Sequence, residues 1–383
     1  MKITLCITLA LTMVAVQAAP PDFGGKKSVS TMNANLYVGA STAPVLALDP
    51  TDPGYITNLI AAVTQVYYSI LASQPPVRIQ AVADEIAVRQ PDLVAIQEAT
   101  LIRNQSPGDL AIGGDSPATN VVYDYLQILA DALSARGVHY AVASTSQEWD
   151  VEMPAFNLTT GTIDDVRQTE RNAILVRTDL PPGQLRATNP QSGHFTNVLE
   201  YPAVGLSVVR GWCSVDVFVR GERFRYVCAH LEEETSPEIQ YLQALELMAS
   251  LENVHQPVIL SGDFNSDPLH RTGTTTYDVF GAAGFEDAWA VLNPANPAGG
   301  LTWGHDEYLA DPSVPFVWRL DLVFYRGSSV APVSSSVVDI GLDRATPPLW
   351  ASDHAAVTAD FRLGQNLKSN GKVQSFTVDS KGR

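Results

Sequence analysis

Hydrophobic and polar positions along this chain repeat with two different periods. Residues 55–73 place Ile56, Leu59, Ile60, Val63, Val66, Tyr67 and Ile70 at helical spacing, and Pro75-Pro76 closes that run. The pattern predicts further helices over 77–89, 123–136 and 237–251. Short apolar runs predict strands over 29–38, 92–97, 140–143, 173–177, 257–260, 320–325 and 355–361. Between 208 and 230, two alternating runs flank Arg220-Gly221, the signature of a β-hairpin. With Arg220-Gly221 as the two-residue turn, Val219 faces Glu222 and Cys213 lies directly opposite Cys228. Residues 101–120, rich in Gly, Ser, Pro and Asn, predict a loop. Helices and strands mix throughout with no repeat and no compositional break. The expectation is therefore one α/β (α+β) domain over 29–363.

The first residues change the picture of where the protein works. Lys2, an apolar run over 3–16 and Val16-Gln17-Ala18 read as a secretory signal over 1–18. A lead-in over 19–28 follows, and a polar tail occupies 364–383. No later run is expected to span a membrane, so the mature chain is expected to be secreted or periplasmic. Cys6 leaves with the signal, and the remaining pair, Cys213 and Cys228, is expected to form a disulfide in an oxidising compartment. The alternative is two buried thiols. The formal charge is −17. Such a surface repels nucleic acid and anionic membranes at long range, and no basic tract marks a dedicated nucleic-acid-binding module. A polyanionic substrate stays open, because carboxylates that hold a divalent cation are themselves a source of acidity.

Candidate chemistry clusters where predicted strands end. Leu260-Ser-Gly-Asp-Phe-Asn puts Asp263 and Asn265 two residues apart just past an apolar run. In extended chain they share one face, offering a carboxylate and an amide that suit a hard cation or a phosphate oxygen. The same residues also favour turns. Glu98 ends the run Asp92-Leu-Val-Ala-Ile-Gln, and Asn35 follows the run 29–34. Each taken alone reads equally well as an exposed Glu or a turn-forming Asn. His230 ends a strand at Val227-Cys-Ala-His, Asp321 follows Arg319-Leu, and Asp353-His354 precede the last strand. A buried Asp beside a His fixes its tautomer and makes it more basic.

Taken in order, Asn35, Glu98 in QEA, His230 in AHL, Asp263 and Asn265 in GDFN, Asp321 in RLD and Asp353-His354 in SDH resemble the endonuclease/exonuclease/phosphatase family, over roughly residues 29–362. The NLYVGA run at 35–40 is similar to a bacterial branch of that family. The resemblance implies a four-layer αββα sandwich: two packed, mostly antiparallel sheets flanked by helices. It implies a secreted metal-dependent hydrolase of phosphate esters, a phosphodiesterase or nuclease. Glu98 would be the principal metal ligand, with Asn35 and Asp353 near the ion. Asp263 and Asn265 would orient water or phosphate. His354 with Asp321 would act as base or stabilise the transition state, and His230 would meet the scissile phosphate or the leaving oxygen. Oxygen ligands suit Mg²⁺, Mn²⁺ or Ca²⁺.

Other readings stay open. One is a hydrolase of phospholipids, of the sphingomyelinase type, or of inositol phosphates. Another is a non-catalytic binding protein on the same fold. Fold alone does not separate them, and no protein partner is evident.

Overall fold

The computed structural model describes residues 27–201, 206–365 and 367. The predicted signal over 1–18, nearly all of the lead-in and most of the tail lie outside the described residues.

Two large mixed sheets, of eight and six strands, carry the fold. In the first, strand Ser28–Asn35 runs parallel to Leu93–Gln97 and antiparallel to Ala356–Leu363. Leu93–Gln97 is antiparallel to Ile163–Arg177 on its other side. The second sheet repeats this plan. Val258–Asp263 runs parallel to Glu222–His230 and antiparallel to Asp321–Arg326, and Glu222–His230 is antiparallel to Gly211–Val219. Each sheet thus holds one parallel pair framed by antiparallel neighbours. Parallel strands finish at the same edge, and antiparallel neighbours start there. Asn35, His230 and Asp263 therefore end strands at one rim, Glu98 follows a strand end, and Asp321 begins a strand.

The layers follow from side-chain alternation. Leu93 and Ala95 face the space between the sheets, with Tyr226, Cys228, Ile259, Val323 and Phe361. Val94 and Ile96 face helices Pro75–Arg89 and Tyr125–Ala135. Leu260 and Phe324 face helix Pro237–Leu251. The apolar runs are strands buried on both faces, and the four expected layers are present. Each fully buried Leu, Ile or Phe contributes about 1.5–3 kcal/mol of transfer free energy.

Some elements differ from the expected ones. Pro75 opens the second helix as well as closing the first, since its missing N–H is harmless in a first turn. The stretch expected as loop over 101–120 contains strand Leu101–Gln105, which pairs along Ile163–Arg177. The strands expected over 140–143 and 173–177 are ends of a long hairpin, Tyr140–Phe156 with Ile163–Arg177. Helix Tyr55–Ala72 is long and apolar enough, by length and composition alone, to cross a bilayer, contrary to the expectation that no run would be. Its Val66 and Ile70 pack on Val38, Ala40 and Ile102.

The 211–230 hairpin keeps the expected register. Val219 pairs with Glu222 and Cys213 with Cys228. Arg220 (φ +49°) and Gly221 (φ +89°) both adopt the left-handed conformation that a two-residue hairpin turn requires. The expected disulfide is not formed. Cys213 and Cys228 are free, buried thiols, and each has another partner. Cys228 Sγ donates to the Ile96 carbonyl (3.5 Å) and accepts from Gln97 Nε2 (3.1 Å). Cys213 Sγ donates to the Ser144 carbonyl (3.9 Å).

Candidate active site

The rim formed by the strand ends opens on a cleft of about 560 Å³ lined by Glu98, His230, Asp263, Asn265, Asp353 and His354. That size falls in the usual range for small-molecule sites. Glu98 follows its strand in the left-handed conformation (φ +53°). Its carboxylate accepts the Val38 N–H (2.6 Å) and Asn35 Nδ2 (2.8 Å). Asn35 Nδ2 also reaches Asp263 Oδ2 (3.1 Å), while its Oδ1 accepts the Tyr37 N–H (2.8 Å). Asn35 therefore both shapes a turn and ties the two sheets together across the rim.

Asp263 lies between two imidazoles. Its Oδ2 is 3.8 Å from His230 Nε2 and 3.6 Å from His354 Nε2. Its Oδ1 accepts the Asn265 N–H (3.0 Å), and Asn265 Nδ2 donates to the Leu231 carbonyl (3.0 Å). Each ring has a carboxylate behind it. His354 Nδ1 is 2.8 Å from Asp321 Oδ2, and His230 Nδ1 is 3.2 Å from Glu170 Oε1. Asp321 is held in turn by Asn33 Nδ2 (3.2 Å). Of the predicted residues, Asp353 touches the others least directly. It lines the same cleft beside His354.

Burial and charge set the protonation states. Burial lowers the pKa of His354, but Asp321, Asp263 and Asp353 outweigh it and hold the ring protonated well above the usual imidazole range. For His230, burial and Arg210 push down while Glu170, Asp263 and Glu148 push up, and the balance is about 9. Asp263 is destabilised by burial, yet the two imidazoles hold it below the usual carboxylate range. Glu98 is pushed up to about 7, by burial and then by the neighbouring Glu170 and Asp353. Asp353 is also raised, chiefly by burial. Glu98, His230 and Asp263 bring one donor atom each within 4.8 Å of one another.

Several residues around the site were not predicted. Glu148, Glu170 and Arg210 form a buried charge cluster behind His230, with Arg210 Nη1 2.7 Å from Glu170 Oε1. Arg210 was within reach of the hairpin register, since it immediately precedes Gly211, the partner of His230. Arg78 is fully buried and donates to the carbonyls of Leu36, Tyr37, Ser73 and Ala351 at 2.7–3.0 Å. It clamps the segment after Asn35 to the one before Asp353. Nothing in its helical setting marked it as more than a surface arginine.

The sequence matches the Endonuclease/Exonuclease/phosphatase family over residues 68–354. The fold is similar to that of an endonuclease/exonuclease/phosphatase from Bacteroides vulgatus, at 15% identity and TM-score 0.50, over 88% of this chain and 100% of that one. It is similar to another from Beutenbergia cavernae, at 18% and 0.50, over 89% and 73%. It is also similar to the catalytic domain of human Nocturnin with bound sulfate, at 17% and 0.49, over 88% and 95%. Among curated proteins, none matches this chain.

Proposed function

Because this chain belongs to the endonuclease/exonuclease/phosphatase family, whose members hydrolyse phosphate esters, we propose that it is a metal-dependent phosphodiesterase acting at this cleft. The observation that carries the reading is Asp263 placed between two imidazoles, each backed by a carboxylate, beside Glu98. The donor set fits a hard divalent cation. Glu98 and Asp353 are partly buried carboxylates whose pKa is raised first by desolvation, with Glu170 and Asp353 adding to it at Glu98 and Asp263 at Asp353, and a cation would favour their ionised forms. Glu98 and Asp353 would hold Mg²⁺, Mn²⁺ or Ca²⁺, with Asn35 beside them orienting the Glu98 carboxylate through its Nδ2. When bound, the ion neutralises charge on non-bridging phosphate oxygens.

The protein's own groups supply the rest. His230 and His354, both cationic at neutral pH, present Nε2 toward the same space and stabilise charge that grows on the phosphate. On these charge states His354 acts as a charge stabiliser rather than as the base that takes the water proton. Asp263, ionised before attack, accepts the hydrogen bond of the attacking water and then its proton as the new P–O bond forms, and the Asn265 N–H fixes the carboxylate's orientation. His230 is placed to protonate the leaving oxygen, with Glu170 holding its ring. The apolar run over 3–16 supports export of the mature chain.

The test is hydrolysis of bis(4-nitrophenyl) phosphate. EDTA should abolish it, and Mg²⁺ or Mn²⁺ should restore it. His354→Ala and His230→Ala should each lower kcat by about 10²-fold or more, with Asp321→Asn part of the way. Full activity in excess EDTA would overturn the metal dependence. Near-wild-type turnover in either His variant would remove that ring from the mechanism. No turnover of any phosphate ester would favour the binding-protein reading.

A further inference from the structure

A second cavity adjoins the catalytic cleft. Thr42, Leu46, Trp149 and Gln168 line both, so they form a shared wall. Beyond that wall the lining is apolar, with Val45, Val63, Val66, Ile70, Ile102 and Met153 prominent. The cavity holds about 60 Å³. A dry cavity of about 150 Å³ takes up benzene, so this one suits a short alkyl group and not a ring. Its wall also carries two orphan donors. Trp149 Nε1 and Gln168 Nε2 are buried and have no hydrogen-bond partner, which is unfavourable unless an acceptor meets them. Trp149 sits where the pairing of its strand slips by one residue between Gln147 and Asp150, a bulge of the kind found near sites. The cleft lining is acidic as well, with Glu233, Glu234 and Glu307 among its residues.

We propose that this cavity is a substrate subsite for a short alkyl group on the phosphate ester, with an oxygen acceptor between the phosphate and the alkyl carbons meeting Trp149 and Gln168. The inference rests on the phosphodiesterase reading above and narrows it to small, singly charged alkyl diesters. An extended polynucleotide, with one charge per link, would run its backbone along the acidic lining. The apolar lining rewards each methylene that enters it, by about fourfold in binding.

Two measurements on the full protein with Mg²⁺ separate the subsite from the chemistry. The first is kcat/KM for 4-nitrophenyl methyl, ethyl, butyl and 2-methoxyethyl phosphates. The second is calorimetric binding of dimethyl, diethyl and dibutyl phosphate, which needs no turnover. Rates and affinities should rise from methyl to butyl by on the order of tenfold or more. Val45→Phe, which fills the cavity, should flatten both series and leave the methyl ester unchanged. Trp149→Phe, which removes the N–H, should lower the methoxyethyl ester relative to the butyl ester. Hydrolysis and binding that are flat across chain length in the wild-type protein would overturn the subsite. Graded binding without hydrolysis of any ester would keep the subsite and overturn the catalytic reading instead.

Discussion

Glu98 is the residue at which burial and charge conflict most directly. Its folded pKa stands at about 7, against an ordinary value of 4.5. A metal ion needs the carboxylate, so protons compete with it below about pH 7. The apparent Kd for Mg²⁺ should therefore weaken by about tenfold per pH unit on descending from 7 to 5.5. In metal-free protein the pH trend of stability is the opposite. A carboxyl raised above its unfolded value favours the fold below about 4.5, and that contribution is lost as pH rises toward 7. Mg²⁺ should then raise Tm more at pH 7.5 than at pH 5. Mg²⁺ titrations of activity and melting curves across that range check both, and a pH-independent Kd would remove Glu98 from the metal. Glu98, Asp263 and His230 were legible because each closes an apolar run, where a polar residue stands out. Asn35 was readable only in company. Glu148 and Glu170 were not readable, because they lie inside polar strand segments where a buried carboxylate and an exposed one look alike. The choice between the two expected roles of His354, base or transition-state stabiliser, was not legible in sequence, since it depends on Asp321 and Asp263, distant along the chain, as well as on the adjacent Asp353.

At the scale of elements, the site is a consequence of two parallel strand pairs ending at one rim. Gly262 marks how tightly the second pair is joined, because a Cβ there would stand 2.1 Å from the Ala229 carbonyl oxygen. Strands buried on both faces were legible as apolar runs, and the 211–230 hairpin was legible to its register. The long 140–177 hairpin was not. Its outer part is held by ions rather than by apolar alternation. Asp150 bridges Arg103 (3.2 Å) and Arg167 (2.5 Å), and hydrophobic periodicity is blind to such pairing. Arg78 is the device that joins elements across the cleft. Its planar guanidinium serves four carbonyls at once, a fork that a lysine ammonium does not reproduce. Arg78→Lys should cost about 2–4 kcal/mol, since buried carbonyls lose their donors. It should also lower kcat, because the segments carrying Asn35 and Asp353 lose their common anchor. Urea denaturation and steady-state kinetics check this together. An unchanged midpoint would show that the carbonyls find other partners.

For the whole molecule, the governing quantity is the formal charge of −17. Charge of that size acts beyond contact distance, and ionic strength sets how far. The screening length is about 30 Å at 0.01 M salt and about 8 Å at 0.15 M. A polyanion approaching the acidic cleft is repelled over that whole length, whereas a monoanionic diester carries one charge and feels less. Proteins that bind nucleic acid through basic surfaces lose affinity as salt rises, because counterions are no longer gained by release. This chain should do the reverse. At fixed Mg²⁺, its kcat/KM on single-stranded DNA should increase by up to about tenfold between 10 and 150 mM NaCl. Its kcat/KM on 4-nitrophenyl ethyl phosphate should change by less than about twofold over the same range. Parallel salt series on the two substrates make the comparison. A DNA rate that falls with salt would mean that a local positive field, from the bound ion with His230, His354 and Arg210, outweighs the net charge at the cleft. The substrate class would then have to be drawn toward nucleic acid.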